Sequence, residues 1–154
     1  MVARCSRDSW SEASGVAAQA LAIQDRAAVL ARTDAEVWDE ALAALRAAEN
    51  AARDERKDFA LERKLERAAA VPVEIAGLGA DAAELASIVG ERGDGSYRAD
   101  AAAAAALAAG GARAAAHLVE VNLGVRTGDP RLAQARAFEQ AANDAAERLL
   151  ESLR

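Results

Sequence analysis

Residues 97–123 read YRADAAAAAALAAGGARAAAHLVEVNL, and this stretch decides the fold class. Alanine is the strongest helix former, and the run holds no proline and no β-branched residue before Val119, so it predicts one helix from Tyr97 to Leu123. Side chains this small let neighbouring backbones come close, which points to helices packed on helices. The run closes on Val121-Asn122-Leu123. Asparagine is a poor interior helix former because its amide competes for backbone hydrogen bonds. Asn122 therefore either marks a helix end just before Gly124 or serves a polar task among apolar neighbours.

Upstream, Val16, Ala20, Ile23, Ala27 and Leu30 recur at spacings of three and four, the mark of one buried helix face over Ser11–Ala31. Thr33 followed by Glu36 reads as a capping box that opens a second helix from Asp34 to about Glu49. The charge-dense Asn50–Lys57 reads as a solvated turn or frayed end. From Asp58 a helical period runs to about Gly90, with Pro72 removing one backbone donor and predicting a kink without a break. Gly93-Asp94-Gly95-Ser96 predicts a turn with Ser96 as the cap of the alanine helix. Thr127-Gly128-Asp129-Pro130 supplies a second turn, a capping aspartate and a proline at the first position of a last helix. The reading is an all-α, up-and-down bundle of five or six helices, kinked near Pro72, in a single domain over 1–154.

The 154 residues carry a formal charge of -6 and a pI near 4.9, which argues against a nucleic-acid partner. Aromatics are only 3% of the chain, so Trp10, Trp38, Phe59 and Phe138 are each expected to anchor core or interface. The single Cys5 excludes an internal disulfide and a thiolate metal cluster, and implies a reducing, cytoplasmic setting. No uninterrupted apolar run reaches the roughly 20 residues of a membrane span, so no membrane partner is expected.

Phosphate loops, paired histidines and a Ser-His-Asp set are missing. His117, alone of its kind, reads as a satisfied core or rim residue. Asp100 falls in the first turn of its helix, where a carboxylate interacts well with the helix dipole, and that role competes with a chemical one. Asp34 is similar beside its capping threonine.

The segments Arg67-Ala68-Ala69-Ala70-Val71-Pro72-Val73-Glu74-Ile75-Ala76, Arg98-Ala99-Asp100-Ala101, Arg113 and Val121-Asn122-Leu123 resemble the cyclodeaminase/cyclohydrolase family. Asp34-Ala35-Glu36 ahead of Trp38 is similar to that family's Asp-Ala-Glu segment. The family includes the cyclodeaminase domain of formiminotransferase-cyclodeaminase and the related methenyltetrahydrofolate cyclohydrolases. The resemblance implies a helical homodimer acting on a one-carbon unit carried by a tetrahydrofolate derivative, with no covalent cofactor and no metal. It implies Asp100 and Asn122 as acid/base and polar orienter sharing one cleft, with Asp34 and Arg113 as substrate-binding partners.

Two features depart from the family pattern. The Gly-Gly-Gly-Ser segment that opens its first helix is not in this sequence, whose Met1-Val2-Ala3-Arg4 aligns near the end of that helix. Ala99 stands where the family has serine before the aspartate, and Leu118 where it often has asparagine. The alternative to a folate enzyme is therefore a non-catalytic helical dimer or partner-binding relative that has lost the site.

Overall fold

The structure, a computed structural model, describes residues 1–49, 55–123 and 128–153. Among these it contains α1 (Val2–Cys5), α2 (Ala13–Glu49), α3 (Glu55–Arg92), a 3-10 turn (Gly95–Tyr97), α4 (Arg98–Leu123) and α5 (Pro130–Glu151), and no strand. The all-α bundle expected from the alanine run is what forms. At 1.5 Å per residue, α2 and α3 are each roughly 55 Å long, and α4 about 39 Å. Of the expected turn at Asn50–Lys57, residues 50–54 lie outside the described residues; from Glu55 the chain is already helical. Gly124 and Thr127 also lie outside them.

Cross-helix contacts give the topology. Arg92–Glu12 at 3.1 Å and Arg67–Glu40 at 3.4 Å run α2 antiparallel to α3. Arg113–Glu139 and Arg136–Glu120 run α4 antiparallel to α5. Successive long helices thus alternate up and down. α3 is the hub: it packs on α2, α4 and α5.

Small residues make that hub possible. A Cβ added to Gly79 would lie 2.9 Å from the Ala112 methyl and 3.1 Å from the Ala108 carbonyl, so α3 and α4 touch at backbone distance there. One α4 face buries Ala101, Ala105, Ala112, Ala115 and Val119 against these neighbours. Three linked clusters form the core: the main one around Ala105, Ala142 and Leu149, a second around Val119 and Ala135, and a third where Val37 and Ala41 of α2 meet Ala68 and Val71 of α3.

Several expectations are corrected. The capping box at Thr33 and Glu36 does not form: α2 is one helix through Ala13–Glu49, and the Thr33 hydroxyl donates to the carbonyl of Val29, 3.1 Å away. A cap is worth about 1 kcal/mol. Breaking a helix here forfeits several backbone bonds with no glycine, proline or asparagine near 31–35 to make the turn. Asp94 caps the 3-10 turn that leads into α4; its carboxylate accepts from the Ser96 N–H at 2.9 Å, and that bond holds its pKa below the usual carboxylate value. Asp129 and Pro130 do open α5 as expected. Trp10 and Phe138 pack against the core, whereas Trp38 and Phe59 are exposed and lie outside it. Finally, residues 95–123 are long and apolar enough, at mean hydropathy 1.3, to cross a bilayer by length and composition, because alanines carry the average across Asp100 and Arg113.

Candidate functional site

Pro72 sits inside α3 and is fully buried, yet the helix runs through it unbroken. Without an N–H, Pro72 cannot bond the carbonyl four residues back, which belongs to Ala68. Ala68 is 2% exposed, so water is a poor substitute donor. The donor comes from α4: Asn122 Nδ2 donates to the Ala68 oxygen at 2.9 Å. This is the task of the unusual asparagine. Among the described residues no donor meets Asn122 Oδ1, at the edge of the α3–α4 contact.

The same part of α3 is clamped from α5. Arg131 donates from Nη1 to the Glu66 carbonyl at 2.9 Å, and from Nε and Nη2 to the two carboxylate oxygens of Asp129 at 2.9 and 2.7 Å. Asp129 also accepts from the Arg131 backbone N–H, capping α5. Both side chains are largely shielded, and hydrogen bonding to Asp129 raises the Arg131 pKa further. Arg131 was not singled out from sequence. No local rule marks it, because the Glu66 carbonyl it bonds is not the one that Pro72 orphans.

Asp34 reaches this region from α2. The register set by the Glu12–Arg92 and Glu40–Arg67 pairs brings it level with residues 70–73 of α3. It is half-buried one turn before Val37, and burial raises its carboxyl pKa above the ordinary value. Along the bundle axis Asp34 is thus level with the α3 turn that follows Ala68, the residue Asn122 bonds from α4.

Asp100 and Arg113 do not join them. Asp100 is exposed in the first turn of α4, separated from Asn122 by 22 positions of one continuous helix. That is about 33 Å along the axis. The expectation that both share a cleft within one chain is therefore corrected, and the reason is the straight alanine helix that joins them. Near that end of α4 lies a different space, an apolar cavity of about 240 Å³ between α1, α2, α3 and α4, lined in part by Val16, Ile23, Leu85, Ala101 and Ala104 but not by Asp100. Arg113 is exposed midway along α4, bonded to Glu139 at 3.4 Å and to Asn143 at 3.3 Å. With His117, Glu120 and Arg136 it lines a shallow cleft of about 300 Å³ between α4 and α5. His117 is thus a rim residue. Among the described residues, no three His, Cys, Asp or Glu side chains gather as a metal site would require.

The profile of the formiminotransferase-cyclodeaminase family matches residues 1–146 of the chain. No curated protein matches it.

Proposed function

The chain belongs to the formiminotransferase-cyclodeaminase family, matched over residues 1–146, and on that premise we propose that it is a homodimeric enzyme of tetrahydrofolate one-carbon metabolism. Its reaction is either ring closure of a formimino group with loss of ammonia or hydrolysis of the methenyl group to formyl. Both are additions and eliminations at a carbon flanked by two nitrogens. In the hydrolysis, water adds to the methenyl carbon and gives up a proton; one carbon–nitrogen bond then breaks, and its nitrogen takes a proton. In the ring closure, the carrier's second amine adds to the formimino carbon and gives up its proton, and the formimino nitrogen, once protonated, leaves as ammonia.

Each route needs a group that takes and returns protons near neutral pH, and a dipole that orients the reacting carbon. Asp34 suits the first role as a half-buried carboxyl whose pKa burial raises above the ordinary carboxylate value. The Oδ1 of Asn122 suits the second, its amide held by the Ala68 bond in a fixed orientation. The observation that supports this reading beyond family membership is the Asn122–Ala68 bond beside Pro72, with Asp34 of α2 level with the same stretch of α3.

The test follows the loss of methenyltetrahydrofolate absorbance and the release of ammonia from formiminotetrahydrofolate. Acceleration over buffer is expected for one of the two, falling about 10²-fold or more in Asp34→Asn. A folded protein that accelerates neither overturns the reading in favour of a non-catalytic relative.

A further inference from the structure

The turn of α3 just before Pro72 is tied to three helices through three consecutive residues. The Glu66 carbonyl accepts from Arg131 of α5 at 2.9 Å, the Arg67 guanidinium pairs with Glu40 of α2 at 3.4 Å, and the Ala68 carbonyl accepts from Asn122 of α4 at 2.9 Å. The bond from Asn122 repairs the loss that Pro72 causes. The bond from Arg131 repairs nothing, because the Glu66 carbonyl is not the one left open.

We propose that Arg131 is a positioning residue: by fixing the part of α3 that precedes Pro72, it sets how Asp34 and Asn122 stand to one another in the proposed site. This rests on the proposed function. Both site residues take their position from that part of α3. Asn122 is bonded to it directly. Asp34 lies one turn before Val37, and Val37 and Ala41 pack with Ala68 and Val71 in one cluster. Pro72 leaves the same part the freest to tilt, since a helical turn without its bond, with a proline ring against the carbonyl four residues back, bends more readily than its neighbours. Ala69 and Val73 pack with Val119 and Ala135, but apolar contacts are non-directional and let small methyl groups slide. A hydrogen bond does not.

Of the ties at Glu66 and Arg67, the first is built to hold. The Arg67 and Glu40 side chains are 64% and 50% exposed, and such a pair contributes little. Arg131 is 26% exposed and Asp129 11%. Asp129 takes Nε and Nη2 of the guanidinium in a bidentate pair, which aims the planar group and leaves Nη1 as the donor to Glu66. Asp129 is itself fixed as the cap of α5 through the Arg131 backbone N–H. The tie thus runs without slack from the first turn of α5 to the turn before the proline.

The test separates this role from plain stability. In Arg131→Gln the shorter amide reaches Asp129 but ends short of the Glu66 carbonyl, so the α5 cap stays and the tie is lost. Arg131→Lys keeps the charge but not the fork, and is the conservative rescue. Val89→Ala, in the apolar cluster at the other end of α3, is the control for lost stability alone. The first readout is turnover of whichever folate the unsubstituted protein accepts, per folded molecule, with the folded fraction taken from circular dichroism. In Arg131→Gln kcat is expected to fall about tenfold or more with KM changed less than about twofold. It is expected to recover in part in Arg131→Lys and to hold in Val89→Ala.

The second readout needs no activity. The side-chain amide of Asn122, identified in the NMR spectrum by its absence from Asn122→Asp, is expected to shift and to exchange faster with water in Arg131→Gln. In Val89→Ala it is expected to stay in place. An unmoved amide signal, or a kcat per folded molecule that holds while stability falls, overturns the proposal. Should Arg131→Gln not fold, both readouts are expected to move part of the way in Arg131→Lys, and either one standing still overturns it. If the unsubstituted protein turns over neither folate, the proposed function fails, and the amide signal alone decides whether Arg131 positions Asn122.

Discussion

Replacing Asn122 by alanine strips the Ala68 carbonyl of its donor, and the cost follows from the burial of that carbonyl. A buried acceptor left unbonded costs about 1–3 kcal/mol, partly offset by roughly 0.5 kcal/mol because alanine is the better helix former. The net expectation is a loss of about 1–2 kcal/mol. The mechanism assigns the cost to Pro72, so it must vanish when Pro72 does. In Pro72→Ala the new backbone N–H can reach Ala68 across the ordinary helical turn, and Asn122→Ala is then expected to be neutral or slightly stabilising. Pro72→Ala alone has two opposed consequences: alanine is favoured by about 3 kcal/mol inside a helix, while two buried methylenes at about 0.8 kcal/mol each and their cavity are lost. The coupling between the two changes is free of both and is expected at 1 kcal/mol or more. Urea unfolding of the four proteins, followed by helical circular dichroism at constant m-value, measures it. Equal costs for Asn122→Ala with and without Pro72 would refute the assignment.

Other outcomes follow from the same packing. Gly79→Ala pushes a methyl into Ala112 and the Ala108 carbonyl, and is expected to lower the urea midpoint by an amount equivalent to about 1 kcal/mol after its helix-propensity gain. Gly110→Ala meets open space and is expected to raise the stability of the isolated chain by about 0.5–1 kcal/mol, read in the same assay at a dilution that keeps it monomeric. Asp129→Ala removes the α5 cap and the bidentate partner of Arg131, for an expected loss of about 2 kcal/mol in chemical unfolding. The raised pKa of Asp34 means the fold favours its protonated form, so its contribution is fully present below the ordinary 3.8 and is lost as pH rises through the raised value. Asp34→Asn is therefore expected to match the parent in stability below that window and to equal or exceed it above, with thermal unfolding against pH as the check; a parent that gains stability over the variant above the window would contradict the burial argument.

What the sequence determined by itself is whatever depends on neighbours a few positions away. The alanine run made α4 a helix, Asp129 with Pro130 opened α5, the chain as a whole became a bundle, and the apolar period of α2 marked a face that needs covering. Pro72 announced an orphaned acceptor, and Asn122 an amide out of place, because each breaks a local rule of helix chemistry. Tertiary structure decided which of these met. That the amide answers the orphan depends on α3 and α4 running antiparallel at backbone contact, a relation between residues 54 positions apart that no local preference encodes. It also overrode the cap at Thr33, since a signal worth about 1 kcal/mol cannot break a helix pinned on both sides of it by the buried Ala17 and Val37. And it parted Asp100 from Asn122, because a helix is rigid over 22 residues: two groups on one rod keep their spacing, and only another rod lying against it can bring such groups together.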